Sequence, residues 1–247
     1  MAGQFGIDPL RTIRGVARLP GYFRDRRTFR RVFHGKIGWL PCLHESGREA
    51  GAVHSEYFWQ DLYVARKIYE ANPAKHVDIG SRIDGFVAHV ASFREIEVID
   101  VRPLRPISGV VFRQVDLTTE NLGLVNHCDS LSCLHALEHI GLGRYGDAIE
   151  PAGYQTAFRN MARMLTGEGM FYLSVPVGLE RVEFNGMWVF DPLSLMDLAR
   201  QCSLNLVQFA WCPSGGPIRE SCDPEADMSR LALLPQTLGI FVFQRPL

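Results

Sequence analysis

The feature that most constrains this chain is a regular alternation of short apolar runs and helical segments between His76 and Val175. Apolar runs cover His76–Ile79, Glu95–Val101, Val110–Asp116, Ser130–Ala136 and Met170–Val175. A helix is expected from about Gly85 to Ser92, a loop or short helix over Thr118–His127, and a helix from about Pro151 that ends at Thr166-Gly167-Glu168-Gly169. Ala157, Phe158, Met161, Met164 and Leu165 give the core face of that last helix. Alternating strand and helix units imply a parallel sheet with helices on both faces. Beyond it come a helix over Pro192–Cys202 and strands over Asn205–Trp211 and Leu238–Gln244. With no convincing crossover helix between them, these last strands are expected to pair antiparallel. The expected fold is α/β: a doubly wound, mostly parallel seven-stranded sheet with a terminal antiparallel pair.

Between Lys75 and Gly85 the chain reads Lys-His-Val-Asp-Ile-Gly-Ser-Arg-Ile-Asp-Gly. Small residues after a strand allow a tight turn and close approach of backbone to a ligand, and the next helix N-terminus offers free N–H groups. Gly80 and Ser81 stand at that turn. Asp100 ends the second strand about 20 residues later, the spacing at which an acid meets a ribose. A carboxylate there accepts two hydroxyl hydrogen bonds from one ribose. Asp78 has two uses open to it: holding N–H groups of its own loop, or meeting a cofactor through water. Asp116 precedes Thr118 and Thr119, where it can cap a turn or helix start.

Upstream, Ser55–Ala71 reads as one helix stopped by Pro73, with Tyr57, Phe58, Leu62, Ala65, Ile68 and Tyr69 on one face. Tyr63 and Lys67 have the spacing of a short-chain dehydrogenase pair but precede the Gly-containing loop, so the match is chance. Residues 1–50 form a basic extension to a domain of residues 51–247. Arg11 to Lys36 holds nine basic residues against the single acid Asp25. Apolar residues interleave, as expected for short amphipathic helices broken at Pro20-Gly21. Such a stretch can lie on an anionic membrane or pack as a solvated arm. No nucleic acid partner is expected, because the whole chain carries a net charge of -1 and no binding motif is visible. The six cysteines form no Cys-x-x-Cys pair and read as reduced, mostly buried thiols, with no metal site. No apolar run is long enough to span a bilayer and no signal-peptide core is visible, so a cytoplasmic protein is expected. Cys212–Thr237 is long enough to be a lid or a partner surface.

From His76 onward the chain resembles class I S-adenosylmethionine-dependent methyltransferases. Val-Asp-Ile-Gly-Ser at 77–81 resembles their first motif, Val-Ile-Asp at 98–100 the acid on the second strand, and Gln-Val-Asp-Leu at 114–117 the segment near adenine. Leu-His-Ala-Leu-Glu-His at 134–139 resembles the segment after the fourth strand, and 165–176 the fifth strand and the turn before it. More narrowly, Glu138 to Asp147 and Val182 to Asn185 resemble a little-characterised methyltransferase-like family of bacterial surface-polysaccharide gene clusters. The pattern departs at Arg82 and Asp84, which hold later glycine positions, with Gly85 one residue late. Arg82 would crowd the cofactor's methionine end or bind its carboxylate. Glu168 replaces a glycine of the usual turn.

The resemblance implies S-adenosylmethionine as cofactor, held by Asp78, Gly80, Ser81, Asp100 and Asp116. Methyl transfer to oxygen needs a base. His135, Glu138 and His139 are the candidates, with His139 favoured as base because histidine titrates near neutral pH. Arg144, Tyr145, Asp147, Glu180, Arg181, Glu183 and Asn185 give a polar rim suited to a hydroxyl-rich acceptor. The expected function is O-methylation of a saccharide or other small hydroxylated acceptor in cell-surface glycan synthesis, with residues 1–36 making peripheral contact at the inner membrane face. The competing readings are a nicotinamide-dependent enzyme and a non-catalytic module of the same fold.

Overall fold

The computed structural model describes residues 9–43, 51, 53, 55–120 and 122–247. The chain divides into two compact units, Met1–Ala52 and Val53–Leu247. In the first unit α1 (Pro9–Arg30) is one continuous helix, not two broken at Pro20-Gly21. A proline removes one N–H, and its fixed φ is compatible with helix. The segment beyond the helix returns along it. Trp39 packs edge-on against Tyr22 at 5.5 Å and tilts against Phe23 at 5.5 Å, just past the proline. Arg18 donates to the Leu43 carbonyl at 3.0 Å. Residues 1–8 and 44–50 of the basic extension lie outside the described residues.

The second unit begins with α2 (Glu56–Ala71), capped by the Ser55 hydroxyl, which accepts from the Tyr57 N–H at 3.2 Å. Asn72 closes it in the left-handed conformation. The face toward the core is Gln60, Asp61, Val64, Ala65 and Ile68, while Phe58, Leu62 and Tyr69 are exposed. This corrects the apolar face expected from spacing. Two polar residues are buried because the fold supplies partners: Ser174 of the central sheet donates to Gln60 Oε1, and Gln60 Nε2 donates to Asp61 Oδ1 at 3.0 Å.

The strands follow as β1 (His76–Ile79), β2 (Ile96–Asp100), β3 (Val110–Gln114), β4 (Cys128–Leu134) and β5 (Leu165–Val177), all parallel. Between β1 and β2, a π-helical turn (Ile83–Val87) runs into α3 (Ala88–Ala91), where one helix was expected. The turn lies against α2: a Cβ on Gly85 would sit 2.5 Å from Asp61 Oδ2. After β4 come a 3₁₀ turn (Leu137–His139) and α4 (Gly153–Met164). Pro151 stays outside α4, because Glu150 closes a turn onto the Gly141 carbonyl at 2.9 Å. A hairpin of β6 (Arg181–Glu183) and β7 (Met187–Val189) precedes α5 (Pro192–Gln201), β8 (Asn205–Cys212), β9 (Arg219–Glu220), α6 (Pro224–Leu231) and β10 (Thr237–Gln244).

The main sheet is ordered β3-β2-β1-β4-β5-β10-β8-β9, with β10 antiparallel to both β5 and β8. It therefore has eight strands, not seven. The added strand, β9, is two residues inside the proline-containing connection, too short for a periodicity to report. That connection is structured: β9 pairs with the outer edge of β8, and α6 buries Met228 and Leu231. α4, α5 and α6 cover one face of the sheet, and α2 and α3 the other. The strand order reverses between β1 and β4, the switch point at which open α/β sheets bind ligands beyond the strand ends.

Candidate functional site

β1 ends in a loop built on buried polar contacts. Asp78 is fully buried. It accepts from the Ser81 N–H at 3.0 Å, the Ser81 hydroxyl at 2.6 Å and the Ser132 hydroxyl at 2.5 Å. Ser81 Oγ in turn accepts from the Leu134 N–H at 3.1 Å. Of the two uses open to Asp78, the geometry shows the loop-holding one, and neither Asp78 nor Ser81 lines the main cleft. Burial pushes the Asp78 carboxyl up to about 7, against the pull of its three donors. Gly80 takes φ +66°, and a Cβ there would meet Ala136 at 3.0 Å, so only glycine allows β1 and β4 to close the floor this tightly.

Beyond the ends of β1, β2, β3 and β4 lies a cleft of about 590 Å³, mouth included. Ile79, Ile99, Val115, Leu117, Ala136 and Ile140 give it apolar walls, and Gly80, Asp100, Asp116, His135, His139 and Tyr145 add the polar groups. Asp100 does not wait free. The Arg102 backbone N–H and Nε reach its Oδ1 at 2.8 and 3.0 Å, and Arg102 Nη2 reaches Oδ2 at 2.6 Å. The guanidinium also lies 4.3 Å from the centre of the Tyr145 ring. The sequence reading missed Arg102. Asp116 spends Oδ1 on the Thr118 N–H and hydroxyl, at 2.9 and 2.8 Å.

The three candidates after β4 separate into different environments. His135 takes a left-handed backbone, φ +51°, a strained conformation for this residue. Its Nδ1 meets Glu138 Oε1 at 2.7 Å, and its ring packs 4.4 Å from that of Tyr57. Burial alone would lower the His135 pKa, but the Glu138 carboxylate, with Glu56 behind it, raises it above the usual histidine value. His135 Nε2 and Glu138 Oε2 are buried without a hydrogen-bond partner, although Glu56 Oε1 stands 3.5 Å from that nitrogen. His139 donates from Nδ1 to the Gly186 carbonyl at 2.8 Å, which Arg144 also reaches at 2.8 Å. Burial holds His139 below the usual value, with Glu138 opposing and Arg144 assisting. Glu138 therefore pairs with His135 and stays 3.9 Å from His139 Nε2.

The rest of the expected rim is partly structural. Asp147 accepts from the N–H groups of Gly141, Gly143 and Tyr145 and so shapes its own loop. Arg181 pairs with Glu183, two residues along the same strand β6, at 2.9 Å. Arg82 is not among the residues lining the main cleft. Exposed, it forms two bonds to Asp84 at 3.1 and 2.9 Å and lies 5.2 Å from the Tyr57 ring centre. Glu56 and Tyr57, at the start of α2, stand against His135; the sequence reading put Tyr57 on the apolar face and gave Glu56 no role. No cluster of three metal-ligating side chains occurs among the described residues. The described cysteines are free thiols, with Cys42 and Cys222 exposed.

Residues 107–202 match a family described as "Caenorhabditis protein of unknown function, DUF268". No curated protein matches the chain. Among solved structures, the chain is similar to the N-methyltransferase NodS from Bradyrhizobium japonicum in complex with S-adenosylhomocysteine, at 15% identity and TM-score 0.51 over 78% of this chain and 89% of that one. It is similar to an S-adenosylmethionine-dependent methyltransferase from Clostridium acetobutylicum, at 10% identity and TM-score 0.50 over 91% of this chain and 99% of that one. The [4+2]-cyclase SpnF is also similar, at 15% identity and TM-score 0.52 over 75% of this chain and 80% of that one. Such identities speak to architecture: the unit from Val53 has the Rossmann-like methyltransferase fold, here with eight strands in the sheet.

Proposed function

We propose that this chain is an S-adenosylmethionine-dependent methyltransferase that O-methylates a saccharide or another small hydroxylated acceptor in cell-surface glycan synthesis. The observation that carries this is one cleft at the switch point that gathers Gly80, Asp100, Asp116 and the two histidines after β4. The residues fit the cofactor. Apolar walls suit an adenine, Asp116 Oδ2 is left to accept from its amino group, and Asp100 suits the ribose once Arg102 yields or shares the carboxylate. Gly80 lets the backbone come close. Asp78 and Ser81 act from behind, by holding the loop. When bound, the cofactor supplies an electrophilic methyl group.

The acceptor hydroxyl must lose its proton, and His139 is the base this reading assigns to it. Its lowered pKa keeps it neutral near pH 7, and with Nδ1–H spent on Gly186 the lone pair stands on Nε2. Glu138 orients His135, which in its charged form serves as a donor rather than a base. Support for a hydroxyl-rich acceptor comes from the rim, where Tyr145 and Phe184 are exposed among Arg144, Arg181 and Glu183. The same reading puts the protein in the cytoplasm, peripheral at the inner membrane face. Exposed Ile13, Val16 and Phe23 among arginines of α1 support it, and no helix among the described residues is long and apolar enough to cross a membrane.

The Arg102–Asp100 pair favours one rival, a module that keeps the fold without catalysis. Calorimetry with S-adenosylhomocysteine and with NAD separates the readings. Binding of the first alone supports a methyltransferase, binding of NAD alone a nicotinamide enzyme, and binding of neither the non-catalytic module. Transfer of labelled methyl to a panel of saccharides then tests the acceptor class.

A further inference from the structure

A second cleft, of about 860 Å³ with its mouth, opens where β8 ends and β10 begins. The proposed cofactor cleft spans the ends of β3 to β4, whereas this one lies across β10, β8 and β9. The two come together at one pair of side chains. His135 lines the first, Glu56 lines the second, and their nearest atoms are 3.5 Å apart. His135 Nε2 is buried there with no hydrogen-bond partner.

Two guanidinium groups line the second cleft, Arg219 from β9 and Arg230 from α6. Arg230 is held in place: it donates to Asp227 Oδ1 at 3.0 Å, and its centre lies 5.3 Å from that of the Trp211 ring. Arg219 has no ion-pair partner among the described residues. The Thr237 hydroxyl, which donates to the Cys212 carbonyl at 3.0 Å, keeps its lone pairs for a donor, and Gln236 offers an amide beside it.

We infer that this second cleft holds the methyl acceptor, and that the acceptor carries an oxyanion as well as a hydroxyl group. The inference rests on the methyltransferase reading above and adds the acceptor's route and charge. A guanidinium presents parallel donors that match the two oxygens of a carboxylate or phosphate. Glu56, an acceptor only, suits the hydroxyls at the other end of such a molecule. A hydroxylated acid anchored on Arg219 and Arg230 can therefore extend past Glu56 and His135 toward the first cleft.

The test uses the full chain with the indole nitrogens labelled, the Trp211 signal being assigned with Trp211→Phe. D-glucuronate and inorganic phosphate are the probes, and D-glucose is the neutral control. Both anions are expected to shift the Trp211 signal, glucose to leave it in place, and the double variant Arg219→Ala, Arg230→Ala to weaken both anions at least tenfold. S-adenosylhomocysteine affinity should be unchanged in that variant, which also shows that it folds. A Trp211 signal that neither anion moves, that glucose moves equally, or that the double variant leaves equally responsive overturns the inference, even if S-adenosylhomocysteine binds. Anion binding in a chain that binds no S-adenosylhomocysteine instead overturns the methyltransferase reading, and with it the acceptor role, while leaving an anion site.

Discussion

On the proposed reading Asp100 and Arg102, two residues apart and joined by hydrogen bonds, act on cofactor affinity in opposite directions. On that reading the Asp100 carboxylate takes both ribose hydroxyls, so Asp100→Ala should weaken S-adenosylhomocysteine by about 1.5–3 kcal/mol, the range of a charged hydrogen bond. Arg102 competes for the same oxygens, and its pair with Asp100 is partly exposed. Arg102→Ala should therefore tighten binding, by about 1 kcal/mol at most. Calorimetry on both variants checks the pair, and equal affinities in the two would remove Asp100 from the site. At His139 the readout is turnover. His139→Ala should lower it about 10²–10⁴-fold with S-adenosylhomocysteine affinity little changed. Because a base must be deprotonated and burial lowers this histidine, the acid limb of the rate profile should fall below the usual histidine value of 6.5. Full turnover in His139→Ala with loss in His135→Ala would move the proton to the Glu138-backed histidine.

At the scale of elements, β1 is joined to β4 by a buried polar chain. His76 contacts Ser130 at 2.7 Å and Ser132 at 3.1 Å, and Ser132 donates to Asp78. Burial, with Arg94 assisting, pulls His76 down to about 3. The unfolded chain takes a proton on this histidine below about pH 6.5 that the native one refuses, so His76 costs stability as pH falls toward 3. Asp78 works the other way. Its native carboxyl keeps a proton to about 7 that the unfolded chain releases above about pH 4, so it costs stability as pH rises. The two oppose each other between about pH 4 and 6.5. Asp78→Asn removes one side, and its stability should climb with pH more steeply than wild type, by up to about 1.4 kcal/mol per unit. Urea denaturation at pH 4.5 and 6.5 measures this, and parallel slopes would contradict it. The loop after β4 is tied as tightly. Gly141 takes φ +81°, and a Cβ there would overlap the Glu150 carbonyl oxygen. Gly141→Ala should cost about 1–3 kcal/mol for the backbone alone, and more for the overlap. It should also weaken S-adenosylhomocysteine, since Ile140 is part of the cleft wall.

For the molecule as a whole, fold and function come apart. The same architecture is similar to an N-methyltransferase and to a [4+2]-cyclase, so activity has to be argued from side chains. The first unit adds a separate question. Ile13 and Val16 are 64% and 60% exposed, and Phe23 50%, beside Arg14, Arg24 and Arg27. Sedimentation with anionic liposomes should exceed that with neutral ones and fall as salt rises, because exposed charges are screened. Equal sedimentation with both would reject membrane contact through residues 1–36.

What the sequence determined by itself is whatever follows from neighbours along the chain. Strand alternation placed β1 at His76–Ile79, and its order with the other runs implied the parallel sheet, at whose strand ends the main cleft lies. The core face of α4 was equally legible, since Ala157, Phe158, Met161 and Met164 are all buried, whereas Leu165, expected on that helix, is the first residue of β5. Tertiary structure decided the rest. It buried Gln60 and Asp61 in place of Leu62 and Phe58, because Ser174 and the turn at Gly85 stand opposite them. It gave Glu138 to His135 rather than to the adjacent His139, and it set Glu56 beside a histidine 79 positions away. Apolar periodicity reports which side of an element faces the core. The partner of a polar group depends on which strands lie side by side, and that order is settled only when the sheet closes.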